Sequence, residues 1–275
     1  MEIRYCCTHW GSERRAPQEF LAQLVEDGYS GLEINLSPNS INDNTFFDQI
    51  EKLRSQNAFA FITQLVPDGF DDTPKQLTNR MEERLDHLVN FKPDFINCHT
   101  GRDFFTFDDN CRIIDAVENR AAKLGVRVMH ETHRGRFSFH LPTLILYLEQ
   151  FPNLQLTGDF SHFCNVSESL LDGQREMLEK IIPNIGHLHA RVGSAQSAQV
   201  SNPFAPEWQQ HLAVFLDWWK AIITYKKQNG SRLFTITPEA GPFPYMAERP
   251  FTREPVANQW EINVKMKNYL QQHLK

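Results

Sequence analysis

Four apolar, strand-like runs between residues 126 and 242 each contain a residue that can bind a metal or transfer a proton. The runs are residues 126–139 (VRVMHETHRGRFSF), 154–163 (LQLTGDFSHF), 185–194 (IGHLHARVGS) and 233–242 (LFTITPEAGP). The residues concerned are Glu131, Asp159, His189 and Glu239. An acid in the middle of a strand would break the pattern of an ordinary core. At the carboxyl end of a strand in an α/β barrel, the same acid lies where chemistry takes place.

If these four side chains meet, their charges predict a metal. Three converging carboxylates would repel one another strongly in a low-dielectric site. Nearby arginines could offset part of that charge, whereas a divalent cation would offset more of it, and His189 would supply a ligand nitrogen. A set rich in oxygen with one imidazole suits Mn²⁺ or Mg²⁺ best, with Zn²⁺ or Co²⁺ as alternatives.

Each of the four residues also has an ordinary structural explanation. A single Asp or Glu at a strand end commonly caps a helix or pairs with an arginine, and a single histidine is commonly a hydrogen-bonded core residue. The prediction of a metal site therefore depends on all four residues occurring together at consecutive strand ends.

The elements that must position these residues alternate along the whole chain. Strand-like runs occur at residues 3–7, 31–35, 58–64, 95–99, 126–129, 154–157, 185–191 and 233–237. Helical patterns lie between them at residues 17–27, 45–54, 74–91, 108–124, 141–150, 169–182, 207–229 and 255–274. Thr45 can cap the second helix, and Gly125 stands where a left-handed C-cap is expected.

This alternation predicts an α/β fold with a parallel sheet. Eight units of about 30 residues in a chain of 275 fit a closed (β/α)₈ barrel better than an open sheet. No G-x-G-x-x-G follows the first strand, so the usual dinucleotide-binding signature is missing. We find no linker that would divide the chain, and we therefore expect residues 1–275 to form a single domain.

Composition limits the classes of function. The formal net charge of −6 argues against a nucleic-acid partner. The N-terminus carries no export signal, and no run approaches the roughly 18 apolar residues of a membrane span. The five cysteines show no disulfide spacing, which suits reduced thiols. We expect a cytoplasmic protein with no membrane partner.

Short motifs in the first half of the chain complete a wider pattern. They are TH at Thr8–His9, GLEI at residues 31–34 and NCHTG at residues 97–101, followed by the four strand ends. On these residues the whole chain resembles the xylose-isomerase-like TIM barrels. That group includes sugar isomerases, sugar 3-epimerases, hydroxypyruvate isomerases, inosose dehydratases and the endonuclease IV branch of DNA repair.

The resemblance implies a ligand set and a reaction. The metal ligands of that family map onto Glu131, Asp159, His189 and Glu239, and its Asp-x-x-His pattern matches Asp159 and His162. The seventh strand departs from the usual His-x-Lys-Asp, because it reads His-Ala-Arg-Val from His189. The expected activity is sugar or sugar phosphate isomerisation or epimerisation. Glu131 and Glu239 would exchange protons with the substrate through a metal-stabilised ene-diolate, while Asp159 and His189 would mainly hold the metal.

Further residues are candidates for contact with a sugar. They are His162, Arg191, His99, His133, Glu33, His9 and Trp10. Arg191 lies on the same strand face as His189, so it could hold a substrate oxygen or phosphate, or neutralise Asp159. Glu33 could contact substrate or be a buried partner for an arginine. His162 and Trp10 could equally belong to the core.

Several alternatives stay open at this point. A dehydratase of a keto-sugar or inosose would use the same ene-diolate logic. An endonuclease IV-like enzyme is disfavoured, because the segment after His189 lacks the Asp-x-His pair and the third strand ends on Gln64. A non-catalytic sugar-binding barrel is also compatible. The loops at residues 193–206 and 241–253 would determine which sugar binds. Their aromatic residues could also form a contact between the subunits of a homo-oligomer.

Overall fold

Eight parallel strands close into a barrel in the computed structural model, which describes residues 1–36, 44–56, 58–69 and 71–274. The strands are β1 (Glu2–Thr8), β2 (Gly31–Asn35), β3 (Ala60–Leu65), β4 (Phe95–Cys98), β5 (Val128–Glu131), β6 (Leu156–Gly158), β7 (Ile185–Ala190) and β8 (Leu233–Pro238). Each strand pairs with its neighbour in sequence, and β1 pairs with β8. The predicted (β/α)₈ barrel is confirmed.

Helices follow the strands around the outside of this barrel. They are α1 (Pro17–Glu26), α2 (Asn44–Gln56), α3 (Pro74–Leu88), α4 (Phe107–Leu124), α5 (Leu141–Gln150), α6 (Phe160–Val166), α7 (Arg175–Ile181), α8 (Gln209–Gln228) and α9 (Gln259–His273). Among the helices of the described residues, none has the length and the apolar character that a transmembrane span requires.

The structure corrects the sequence-based prediction at three helices. The single helix expected at residues 169–182 is wrong, because a short helix α6 begins immediately after Asp159 and α7 begins only at Arg175. Thr45 lies inside α2, which already begins at Asn44, so it is not the cap. The last helix begins at Gln259, after the side chain of Asn258 accepts a hydrogen bond from the backbone N–H of Glu261.

Helix α4 shows how local sequence sets these boundaries. The side chain of Thr106 accepts a hydrogen bond from the backbone N–H of Asp109, which satisfies one free donor of the first turn. At the other end Gly125 has φ of 68°, a left-handed conformation that costs glycine little. Between these ends the buried positions recur at helical spacing, so one face packs on the barrel.

The inside of the barrel changes from apolar to polar along its axis. Cys6, Ala60, Ile62, Phe95 and Met129 form a small buried apolar cluster separate from the main core between strands and helices. Polar side chains follow further along the strands and are also fully buried, among them Glu33, Asn97, His187 and His189. Because all eight strands run the same way, their carboxyl ends meet at one rim of the barrel.

Candidate metal centre

Four side chains from four consecutive strands converge at this rim. Glu131 is the last residue of β5, Asp159 directly follows β6, His189 lies near the end of β7, and Glu239 directly follows β8. One ligand atom from each of them lies within 4.8 Å of the other three. All four residues are buried. The structure therefore brings together the residues that the sequence singled out as metal ligands.

His189 turns its two ring nitrogens toward carboxylates on opposite sides. Nε2 lies 2.9 Å from Oε1 of Glu33, whereas Nδ1 lies 2.9 Å from Oε2 of Glu239 and 3.5 Å from Oε1 of Glu131. The contacts of Nδ1 lack hydrogen-bond geometry, so this buried nitrogen has no hydrogen-bond partner in the described part of the chain. Burial alone would lower the pKa of His189, but Glu239, Glu33 and Glu131 raise it well above its ordinary value.

Glu33 lies beneath these residues as the centre of a hydrogen-bonded cluster. Its carboxylate receives hydrogen bonds from the side chains of His187, His189, Thr237, Gln64 and Asn97. Burial raises the pKa of Glu33, but His189 and His187 lower it further, so the pKa lies well below its ordinary value. The sequence left two alternatives open for Glu33, a substrate contact or an arginine partner. The arginine partner is wrong for the described residues, because the carboxylate is bonded by two histidines and three uncharged side chains.

Arg191 is a buried cation that contacts two of the converging carboxylates. Its Nη2 is 2.5 Å from Oδ2 of Asp159 and 2.9 Å from Oε2 of Glu239, and its Nε is 3.0 Å from the same oxygen of Asp159. Burial would lower the pKa of Arg191, but Asp159 and Glu239 raise it well above its ordinary value. Its guanidinium also lies over the rings of Tyr245, at 4.6 Å, and Trp10, at 5.7 Å.

Asp159 has a structural task in addition to its place at the centre. Its Oδ1 accepts hydrogen bonds from the backbone N–H and the hydroxyl of Ser161, which makes it the N-cap of α6. This cap was the signal for a helix that the sequence analysis missed. Oδ2 faces Arg191 and lies 3.6 Å from Nε2 of His162.

A cavity of about 430 Å³ opens above the centre. It is lined by His9, Trp10, Glu13, Asn35, Gln64, Val66, His99, Glu131, His133, Arg136, Arg191, Glu239 and Tyr245. Five of the predicted substrate contacts are thus at its wall, whereas Glu33 and His162 are fully buried and are not. Of the predicted metal ligands, Glu131 and Glu239 line the cavity, and Asp159 and His189 lie behind them.

His99 and His133 line one side of this cavity, and His162 lies behind them. Nε2 of His99 lies 2.8 Å from Oε2 of Glu131, and the ring of His133 lies 4.6 Å from that of His99 and 3.9 Å from that of His162. Burial, with the nearby charge of His99, lowers the pKa of His133 to about 3. Burial also holds the pKa of His162 well below its ordinary value. The hydroxyl of Tyr245 lies 3.2 Å from Nε2 of His133.

The sequence analysis did not select five polar residues of the cavity wall as substrate contacts, namely Glu13, Asn35, Gln64, Arg136 and Tyr245. Tyr245 belongs to the loop at residues 241–253, which was expected to determine which sugar binds, although Tyr245 itself was not selected as a contact. Arg136 follows Glu131 by five positions in the segment HETHRGRF, and this nearness in sequence to a predicted metal ligand was the available signal.

No protein-family model matches the sequence, and no curated protein matches it. Solved structures do match over nearly its full length. A D-tagatose 3-epimerase-like protein is 14% identical with a TM-score of 0.66, and the match covers 98% of this chain and 97% of that one. The probable 3-DHS dehydratase AsbF from Bacillus anthracis is 14% identical with a TM-score of 0.63, covering 98% of each chain. A xylose isomerase-like TIM barrel protein from Mycobacterium smegmatis, in complex with magnesium, is 12% identical with a TM-score of 0.63, covering 98% and 96%.

This chain has the xylose isomerase-like barrel fold. The expected resemblance is confirmed at the level of the fold, and at these identities it carries no more than the fold.

Within this xylose isomerase-like barrel, the donor set fits a divalent cation. Four buried carboxylates, those of Glu33, Glu131, Asp159 and Glu239, lie close together, and Arg191 forms ion pairs with two of them. The unpaired Nδ1 of His189 is directed toward two of those carboxylates. A metal would take the place of the proton on that nitrogen, because a ligating imidazole must be deprotonated.

Proposed function

We propose that this protein is a divalent-metal-dependent isomerase or epimerase of a sugar or sugar phosphate. The observation that carries this proposal is the convergence of Glu131, Asp159, His189 and Glu239, of which the two glutamates line the cavity and the other two lie directly behind them. The different positions of these four residues relative to the cavity support the proposal further. The two glutamates reach the cavity, where they can touch substrate, whereas Asp159 and His189 are set back, where they can hold a metal.

The two glutamates are proposed to move the substrate proton. They come from β5 and β8, which lie three strands apart in the ring, so they approach a bound sugar from different directions. A carboxylate on each side of one carbon can remove a proton from one face and return it to the other. Burial raises the pKa of Glu131, but His99 and His189 lower it well below its ordinary value, so Glu131 is present as the base.

The surrounding residues hold these carboxylates in place. The side-chain amide of Asn97 donates a hydrogen bond to Oε2 of Glu131 at 2.7 Å, and Arg191 donates one to Oε2 of Glu239 at 2.9 Å. Trp10 and Tyr245 offer flat apolar faces at the cavity wall, against which sugar C–H groups can pack. A divalent cation held by the four ligands would supply Lewis-acid stabilisation of the ene-diolate.

A dehydratase acting on a related polyhydroxy ketone is the second candidate. This candidate is supported by the structural similarity to a probable 3-DHS dehydratase. That match covers the same share of this chain as the match to the epimerase-like protein, with nearly the same TM-score. Proton abstraction beside a carbonyl would be shared by both reactions. Loss of a neighbouring hydroxyl, instead of return of the proton, would distinguish the dehydratase.

The test begins with elemental analysis of the purified protein and titration of metal-free protein with Mn²⁺, Mg²⁺, Zn²⁺ and Co²⁺. The loaded protein is then incubated in D₂O with a panel of ketoses, ketose phosphates and sugar acids, and the products are followed by NMR. We expect deuterium at the carbon beside the carbonyl only when metal is present. Absence of exchange across the panel in metal-loaded protein would contradict the proposal, and formation of an unsaturated product would favour the dehydratase.

A further inference from the structure

Arg136 places a buried positive charge at the wall of the cavity, and the described residues offer it no counter-ion. The residue is 6% exposed and lies in the loop that follows β5. Its Nε and Nη1 are buried and have no hydrogen-bond partner in the described part of the chain. No ion pair joins its guanidinium to any acid among those residues either, in contrast to Arg191, which contacts two carboxylates.

The loop that carries Arg136 is held rigidly. The backbone N–H of Arg136 donates to the carbonyl of His133, and the N–H of Phe137 donates to the carbonyl of Thr100 on the neighbouring loop. The hydroxyl of Ser138 donates to the carbonyl of Glu131, which joins the loop to the end of β5. The buried ring of Phe137 packs against Tyr147 at 5.0 Å. These contacts fix the backbone from which the buried side chain of Arg136 reaches the cavity wall.

The acidic residues that line the cavity form no ion pair with the guanidinium of Arg136. Glu131 contacts His99 and Asn97, Glu239 contacts Arg191, and Glu13 accepts the backbone N–H of Gly11 at the rim. A buried charge without a partner is costly, and such charges in proteins are normally paired. An arginine also presents a planar fork of donors that matches the oxygens of a carboxylate or phosphate.

We propose that Arg136 binds an oxyanion of the substrate, so that the substrate is an acidic sugar derivative: a sugar carboxylate or a sugar phosphate. This inference rests on the proposed function, because it names the substrate class of the same cavity. The cavity volume of about 430 Å³ lies within the range of small-molecule sites and leaves space for a monosaccharide with one such group. The oxyanion then lies against Arg136, while the reacting carbon lies between Glu131 and Glu239.

Matched pairs of sugars test the assignment without any need for turnover. Dissociation constants are measured by calorimetry on the metal-loaded protein for D-fructose against D-fructose 6-phosphate, and for D-glucose against D-glucuronate. We expect the acidic member of at least one pair to bind about 10- to 100-fold more tightly than its neutral partner, as is typical of a charge-assisted hydrogen bond. The pair that shows the preference identifies phosphate or carboxylate as the group.

Variants then assign the preference to this residue. In Arg136→Gln the acidic and neutral sugars should bind equally, and in Arg136→Lys a part of the preference should remain, because the charge is kept and the fork is lost. Arg112→Gln is the matched control. Arg112 is exposed on α4 and pairs with Asp109, so its loss should leave the preference unchanged.

The melting temperature provides a readout that a purely structural arginine would change in the opposite direction. In the ligand-free protein, the described residues give the guanidinium of Arg136 no ion pair and leave its Nε and Nη1 without a hydrogen bond. Arg136→Gln should therefore melt at the same temperature as the original protein or up to about 4 °C higher. A lower melting temperature for both Arg136→Gln and Arg136→Lys would show a structural role and overturn the assignment. Equal binding of acidic and neutral sugars to the original protein, or a preference that survives Arg136→Gln, would overturn it as well.

The binding and exchange experiments together distinguish failure of the proposed isomerase function from failure of the oxyanion site. Binding of an acidic sugar that depends on Arg136, without proton exchange in D₂O, would contradict the isomerase while the oxyanion site still stands. Proton exchange on neutral sugars alone would support the isomerase and contradict the oxyanion site.

Discussion

Oε1 of Glu33 lies 2.9 Å from Nε2 of His189, on the side of the imidazole ring opposite to Glu131 and Glu239. A histidine that binds a metal through one nitrogen commonly donates its other N–H to a carboxylate, which fixes the orientation of the ring and raises its basicity. Glu33 is fully buried and cannot reach the cavity, so this is the contribution that its position allows.

We expect Glu33→Gln to weaken metal binding about 10- to 100-fold, because an amide cannot provide the negative charge that holds the ring of His189. The measurement is a competitive metal titration against a chelator of known affinity. Glu118→Gln is the control, since Oε1 of Glu118 lies 2.9 Å from Nε2 of another buried histidine, His130, and the pair is not part of the centre. Equal metal affinity in the two variants would remove Glu33 from this role.

We expect Glu239→Gln and Glu131→Gln to fold normally and to lower turnover by about 10²- to 10⁴-fold, since an amide cannot exchange the substrate proton. Deuterium incorporation by NMR measures this for each variant. Glu179→Gln makes the same change at an exposed glutamate of α7 and should turn over like the original protein. Near-normal turnover in Glu239→Gln would show that Glu239 is not one of the proton-transfer groups.

Asp159→Ala should lose three contributions at once. It removes a metal ligand, so metal content by elemental analysis should fall, and it removes one of the two carboxylates that pair with Arg191. It also removes the N-cap of α6, which costs about 1 kcal/mol of unfolding free energy. Thr106→Ala shows the effect of losing a cap alone, because it removes the cap of α4 and leaves the centre intact. If Asp159→Ala retained its metal while losing stability as Thr106→Ala does, Asp159 would be only a cap.

Arg191→Met should destabilise the metal-free protein by about 3–5 kcal/mol, since it leaves the buried carboxylates of Asp159 and Glu239 without their cation. Added metal should then raise the melting temperature more than it does in the original protein, because it replaces the lost charge. Thermal melts with and without metal measure both effects.

Arg120→Met is the control for this variant. Arg120 pairs with Asp86 in a half-exposed position, where an ion pair contributes little, and it lies outside the centre. Its metal-induced shift should equal that of the original protein. A metal-free Arg191→Met protein as stable as the original would contradict the importance of this ion pair.

The alternation of strands and helices was readable from the sequence because it depends on local patterns. Periodicity, caps such as Thr106 and left-handed glycines such as Gly125 act within a few residues. The short helix α6 was missed because its seven residues are buried almost throughout and show no period, so only the capping role of Asp159 marked it. The helix expected at residues 169–182 was placed too early because its apolar spacing begins before the backbone becomes helical.

The sequence by itself also determined that Glu131, Asp159, His189 and Glu239 would meet, because parallel strands in a ring bring their carboxyl ends to one rim. Only the tertiary structure decided what each of them touches. Glu33 and His189 are separated by 156 positions and meet across the inside of the barrel, where the register of the strands fixes which side chains face each other. The same holds for Arg136. Only the packed molecule buries its guanidinium at the cavity wall and, among the described residues, pairs it with no acid.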